Sequence, residues 1–282
     1  MTAPPTALSP AAVRVLTALL EARTGQQLSS YRSWRLDTAL KPLLKERSLR
    51  SLDELVGQLL HGEHPGVADR IVDALVNSET SFFRDAAVFD QIEEAVAAVE
   101  ARGRRPRIWC AGCSTGQEPL SLAMLFAERG AERGRGMPDI VATDVSDTAI
   151  ARARSGRFTQ FEVQRGLPIR RLLRWFEGDG SADWTAKPEL TRHVQFRRAN
   201  LVAEPAPPGR FDLVLCRNVL LYLSPQAKQP VFDRFAAALR PDGLLVLGAG
   251  ETVIGQTRLF APSRAVRGMY DVAEAPSGIL AA

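Results

Sequence analysis

The chain has 282 residues, 45% of them hydrophobic and 24% charged, with a formal net charge of +4. Such values fit a water-soluble protein with core enough for two modest domains. No apolar run approaches the roughly 18 residues of a membrane span. Met1-Thr-Ala-Pro-Pro5 lacks the basic and apolar regions of a secretory signal, and three cysteines do not suggest a disulfide framework. A reducing cytoplasm is therefore the expected compartment.

Ser9-Pro10 predicts a helix start, with Ser as cap and Pro at the first helical position. Val13, Leu16, Leu19 and Leu20 follow at helical spacing. A second amphipathic helix is predicted over 31–45. Ser51-Leu-Asp-Glu54 has the form of a capping box opening a third, and a fourth is predicted over 66–77. No strand pattern precedes about residue 104, so 1–76 is predicted as a small all-helical domain. Residues 77–90 form a linker, with a helix over 87–101. Strands are then predicted over 107–111, 140–144, 194–198, 211–216 and 244–248. Helices are predicted between them, near 119–129, 147–155 and 226–240. This alternation implies a mostly parallel sheet covered by helices on both faces, with ligands bound beyond the carboxyl ends of the strands.

The stretch Ile108-Trp-Cys-Ala-Gly-Cys-Ser-Thr-Gly-Gln-Glu-Pro119 is an apolar run entering a glycine turn and then a helix. Gly112 and Gly116 permit a tight turn and close approach of backbone to a ligand. The spacing is not the G-x-G-x-x-G of dinucleotide sites. Asp144 ends the next strand, Asn200-Leu201 precedes another, and Cys216-Arg217-Asn218 closes that one. Each has a bland reading beside the functional one. Asp144 also suits a cap on the following helix, Glu118 a first-turn acid favoured by the helix dipole, and Asn218 a turn residue. Cys110 and Cys113 make a C-x-x-C, but zinc needs two further ligands at suitable spacing and none stands out, so no metal is expected. His61, His64 and His193 sit in contexts that suggest no nucleophile–histidine–acid set.

From about Val76 to the C-terminus the chain resembles the chemotaxis receptor methyltransferases, the CheR-type protein-glutamate O-methyltransferases. Seven pieces in order carry the resemblance: Ser78-Glu-Thr-Ser-Phe-Phe-Arg-Asp85, Trp109 to Pro119, Ala142-Thr-Asp-Val145, Ala153-Arg-Ser-Gly156, Arg165-Gly-Leu167, Asn200-Leu201, and Leu215-Cys-Arg-Asn-Val-Leu-Leu-Tyr222. Departures are Ser78 where the family usually has Asn, Leu120 where it has Tyr, and Gly248-Ala-Gly-Glu251 for Gly-His-Ser-Glu. The resemblance implies an α/β fold. A Rossmann-like S-adenosylmethionine-dependent methyltransferase domain over 91–282 follows the helical domain. A small antiparallel β-subdomain is inserted at about 156–192, which in some members docks a receptor peptide.

The resemblance also implies the site. Ser78, Thr80, Arg84, Gly112, Glu118, Asp144, Asn200, Leu201, Arg217 and Asn218 would hold S-adenosyl-L-methionine, with S-adenosyl-L-homocysteine as product. Asp144 would take the ribose hydroxyls, and Asn200 and Leu201 would lie beside the adenine. Arg84 and Tyr222 would stand near the transferred methyl, Arg84 clamping a carboxylate in its fixed fork. Glutamate, with an unperturbed pKa of about 4.3, is already a carboxylate at neutral pH, so in-line attack on the sulfonium methyl needs no general base. The implied partner is the acidic cytoplasmic helical bundle of chemoreceptors, met by a monomer without membrane insertion. The candidate docking face is the helical region with Arg32, Arg35, Lys41 and Arg47, since residues 23–50 carry seven basic side chains against two acidic ones. Two rival expectations are a same-fold enzyme acting on another signalling protein or RNA, and a non-catalytic module that binds the cofactor. No aromatic-studded RNA motif is visible, so nucleic acid is not expected.

Overall fold

A computed structural model describes residues 9–28, 34–62, 64–133, 136–178, 180 and 182–273. Arg32 and the side chain of Arg35 lie outside the described part. The chain divides into two compact units, Met1–Asn77 with Tyr222–Ala227, and Ser78–Leu221 with Lys228–Ala282.

The first unit holds α1 (Pro10–Thr24), α2 (Trp34–Glu46), α3 (Leu52–His61) and α4 (Val67–Leu75). Ser9 caps α1 through its hydroxyl, which accepts the Ala12 N–H, and Gly25 ends it in the left-handed conformation at φ 70°. The capping box at α3 is half formed. The Ser51 hydroxyl accepts the Glu54 N–H, but the Glu54 carboxylate takes the N–H of Arg50 instead of that of Ser51. Leu16 with Leu20 and Leu36 with Leu40 fall one helical turn apart, and with Leu55 and Ile71 they build a fully buried core. The short segment Tyr222–Ala227 belongs to this unit through backbone bonds from Gln27 N–H to the Tyr222 carbonyl and from Ser224 N–H to that of Gly25.

The second unit begins with Ser78–Asp85 and α5 (Ala86–Ala101). Its main-sheet strands are β1 (Arg107–Ala111) and β2 (Asp139–Asp144), joined by α6 (Gln117–Arg133), with α7 (Asp147–Ser155) following. An inserted region carries β3 (Arg157–Thr159), α8 (Gln160–Gln164), α9 (Ile169–Trp175), β4 (Phe176–Gly178), β5 (Asp183–Ala186) and α10 (Pro188–Thr191). The chain returns to the main sheet with β6 (Val194–Arg198), β7 (Phe211–Cys216), α11 (Pro225–Ala238), β8 (Leu239–Leu247), β9 (Phe260–Pro262) and β10 (Met269–Val272).

The seven-stranded sheet runs β6-β2-β1-β7-β8-β10-β9. Its first five strands are parallel, and β10 pairs antiparallel with both β8 and β9. β1 and β7 are buried nearly throughout, which is why both are close to continuous apolar runs. The antiparallel edge β9–β10 carries no strand signal strong enough to have been expected. β8 starts five residues before its predicted start, because it takes in Arg240-Pro-Asp-Gly243, which has turn composition. β3, β5 and β4 form a separate three-stranded antiparallel sheet in that order.

Chain order steps outward from β1 through β2 to β6 on one side and from β7 to β8 on the other. The carboxyl ends of β1 and β7 therefore flank the point where the connections diverge, the place where open α/β sheets hold ligands.

Candidate active site

Three loops and one segment meet at this rim, and their backbone is unusual. Five described non-glycine residues have positive φ. Four of them are here: Phe83 (47°), Asp85 (59°), Ser114 (50°) and Asn218 (60°). Such conformations cost of order 1–3 kcal/mol each, persist only where the surroundings enforce them, and concentrate at functional sites. Gly112 sits at φ 83°, and a Cβ there would stand 2.5 Å from Val219 Cγ2. The glycine is needed both for the turn and for the contact between the β1 and β7 loops.

Asp144 ends β2 with its carboxylate turned into these loops and is 8% exposed. One oxygen accepts the Ser114 N–H at 2.8 Å and the other the Ser146 N–H at 3.0 Å. The Ser114 hydroxyl donates in turn to the Ser78 carbonyl at 2.7 Å, tying the segment before α5 to the glycine loop. That segment is held from its other side too. Phe82 is fully buried, its ring 5.0 Å from Phe158 and 5.6 Å from Phe176 of the inserted sheet. The Phe83 N–H donates to Ser121 Oγ, and the Arg171 guanidinium lies 4.3 Å over the Phe83 ring.

Arg217, 7% exposed, joins the remaining parts. Its guanidinium donates to Glu118 at 2.9 Å, to Asp85 at 2.5 Å and to the Arg84 carbonyl at 3.0 Å. Through these bonds Arg217 is the buried keystone between α6 and the Ser78–Asp85 segment. Asn200 also makes local bonds. Its side-chain oxygen accepts the N–H groups of Val202 and Ala203 in an Asx turn after β6, while the Leu201 carbonyl accepts from Arg234. Thr80 and Arg84 are half-buried and make no side-chain hydrogen bond or ion pair among the described residues.

The family model described as "CheR methyltransferase, SAM binding domain" matches residues 78–269. The chain belongs to this family. Chemotaxis protein methyltransferase 1 of Pseudomonas aeruginosa is 36% identical over 83% of this chain and 87% of its own length. The Cher2 methyltransferase of Pseudomonas putida is 35% identical over 84% and 88%, and the Escherichia coli chemotaxis protein methyltransferase 31% identical over 90% and 88%. Among solved structures, the glycopeptide N-methyltransferase MtfA complexed with S-adenosyl-L-methionine aligns over 54% of this chain and 48% of its own. Its TM-score of 0.34 and identity of 14% are too low to argue from. The protein is thus an S-adenosylmethionine-dependent methyltransferase of the CheR family.

Within this CheR domain the predicted site residues separate into groups. Ser78, Gly112, Glu118, Asp144, Arg217 and Asn218 are joined by the contacts above or stand in the same loops. Asn200 and Leu201 follow β6, the strand beside β2. Tyr222 lies in the first unit, where the Asn77 side-chain amide donates to its hydroxyl at 2.5 Å. Asp85 and Glu251 are site residues that the sequence did not single out. Asp85 is the last residue of a recognised motif, so its acidic character beside Arg84 was a usable signal. Glu251 accepts only backbone N–H groups, mostly from residues some thirty positions away, and no local pattern announces that.

The cysteines of this rim are inert. Cys110, Cys113 and Cys216 are fully buried and unpaired. Loss of solvation, reinforced by nearby carboxylates such as Glu118, pushes all three thiols well above their ordinary range. Small side chains packing the loop account for the C-x-x-C. Among the described residues no group of three or more His, Cys, Asp or Glu is arranged to hold a metal.

Proposed function

We propose that the protein methylates glutamate side chains on the cytoplasmic helical bundle of chemoreceptors, giving glutamate methyl esters. The observation that carries this reading is the β1/β7 rim. A buried carboxylate (Asp144), a second acid (Glu118) and four strained residues converge there. The rim suits S-adenosyl-L-methionine by chemistry. Asp144, which ends β2 with its carboxylate among these loops, would accept the ribose hydroxyls. Asn200 and Leu201 would supply an amide edge and an apolar wall for adenine, with Ser78, Thr80, Arg84, Gly112, Glu118, Arg217 and Asn218 completing the cofactor set. When bound, the cofactor supplies an electrophilic methyl group.

The remaining work belongs to the protein. Arg84, with a guanidinium that makes no ion pair among the described residues, would orient a carboxylate through its planar fork. Tyr222, its hydroxyl oriented by Asn77, would serve beside the reacting groups. A substrate carboxylate is already ionised, so catalysis rests on orientation and exclusion of water, not on proton transfer. The helical domain would face the receptor. Lys41 and Lys45 of α2 are exposed, whereas Arg47 donates to Gln58 and Arg70 is paired with Glu46. The expected compartment is the cytoplasm and the expected state a monomer.

The test is incubation of receptor-containing membranes with methyl-labelled cofactor, followed by mild base. Label released as methanol marks a glutamate ester. Label that stays on protein, or appears on RNA, sinks the reading. Charge reversal at Lys41 and Arg35 should slow receptor methylation several-fold at low salt and little at high salt. Equal rates for variant and parent would remove α2 as the docking face.

A further inference from the structure

The β7 loop carries Arg217 and Asn218, and its conformation is one a side chain disfavours. Asn218 is left-handed at φ 60°. What compensates is a single carboxylate from another strand's exit loop. One oxygen of Glu251 accepts the N–H of Asn218 at 2.7 Å and that of Gly248 at 2.8 Å. The other accepts the N–H of Val219 at 2.9 Å and that of Leu221 at 3.2 Å. Four donors meet the four acceptor positions of one carboxylate. The same residue folds back through its own N–H, which donates to the Gly248 carbonyl. Gly248 is small for a reason: a Cβ there would lie 2.9 Å from Asn218 N, 2.9 Å from Glu251 Oε2 and 3.0 Å from Asn218 Nδ2. Ala249 and Gly250, the two departures from the resembled motif, are exposed on the outside of this turn, away from the clamp.

We propose that Glu251 is a positioning residue for the methyltransferase site, its carboxylate fixing the β7 loop in the left-handed form that presents Asn218 to the cofactor. The inference rests on the cofactor reading given above. A carboxylate is required because all four partners are donors. In Glu251→Gln the amide NH2 confronts two N–H groups and satisfies neither, so the loop loses two of its four anchors.

The experiment compares the parent with Glu251→Gln and Gly248→Ala by three measurements. These are hydrogen exchange over residues 216–222 and 248–251 without ligand, calorimetric titration with S-adenosyl-L-homocysteine, and steady-state kinetics. In Glu251→Gln, exchange of those peptides should accelerate about tenfold while the rest of the domain is unchanged. Affinity for the product should fall about 10- to 100-fold, the range found when a supporting hydrogen-bond partner of a site is lost. KM for the cofactor should rise in parallel and kcat change less than about threefold, because preorganisation for binding is what is lost. Gly248→Ala, which leaves the carboxylate in place but crowds it, should show the same signature at smaller size. A folded Glu251→Gln that binds the product within about twofold of the parent overturns the proposal. If Glu251→Gln does not fold, Gly248→Ala decides by the same criteria. If neither folds, a role confined to the core replaces the one proposed. A parent that fails to bind the product defeats the cofactor reading instead, and the exchange comparison still reports on the clamp.

Discussion

The two ends of the parallel sheet are both closed by arginine–carboxylate contacts, but with the charges inverted. At the amino ends of β1 and β7 the buried partner is an anion. Asp212, 2% exposed, accepts the Arg107 N–H and contacts Arg104 and Arg240, whose side chains reach in from solvent. Asp242 adds a second acid for Arg102 and Arg104. No described non-glycine residue there has positive φ. At the carboxyl ends the buried partner is the cation Arg217, the acids Glu118 and Asp85 lie around it, and the backbone is strained on three sides. The amino end satisfies its buried charge with ordinary backbone and is finished when folded. The carboxyl end spends folding energy on geometry, which has a use only if something else binds there.

That contrast can be broken most severely at Arg217. Arg217→Met strands Glu118 and Asp85 beside each other, and denaturant unfolding should show a loss of about 3 kcal/mol, together with loss of product binding. A cost below about 1 kcal/mol would mean that the pair is not a keystone. Next comes Asp144→Ala, which removes the anchor of Ser114 as well as the proposed ribose acceptor. Calorimetry should show affinity for S-adenosyl-L-homocysteine reduced at least about 100-fold, roughly 2.7 kcal/mol, with unfolding affected less. Unchanged affinity would reduce Asp144 to a helix cap. Gly112→Ala forces a side chain into positive φ against Val219 and should cost about 1–2 kcal/mol of stability with some weakening of binding.

The smallest effect is expected at the opposite end. Asp242→Asn should cost at most about 1 kcal/mol at neutral pH, as partly exposed pairs do, and leave product binding unchanged. Partial burial of Asp242 works to raise its carboxyl, but the hydrogen bond and charge of Arg104 outweigh that and hold it below 3.8. A depressed folded value means that the contribution is complete above the unfolded value and disappears as pH falls through the folded one. The stability gap between parent and Asp242→Asn should therefore close only in strong acid, below about pH 4. A gap that closes near neutrality would point to a different group.

Legibility in the sequence followed the same division. Strands buried on both faces wrote themselves as apolar runs, so β1 and β7 fell where expected, the edge strand β6 showed itself by alternation, and the caps at Ser9 and Ser51 marked helix starts. Arg240-Pro-Asp-Gly243 has turn composition and forms the irregularity in β8 between Leu239 and Leu244, so the expected start at 244 marks where continuous pairing with β7 begins. The short strands β9 and β10 gave too few residues for a pattern. In the site, glycines and strand-end acids were visible because their chemistry is local. Glu251 and the keystone role of Arg217 were not, because each is defined by partners brought from distant parts of the chain.

The burial of Phe82 between Phe158 and Phe176 also bears on how the enzyme is born. Thr80 and Arg84 leave the ribosome early, but the aromatic socket that seats their segment lies some 75 to 95 residues later in the chain. Gly166, whose absent Cβ makes room for the Phe82 carbonyl, is later still than Phe158. The nascent protein therefore completes the Ser78–Asp85 segment only once the insert has been synthesised, which makes the insert a checkpoint in the order of assembly as well as a part of the finished fold.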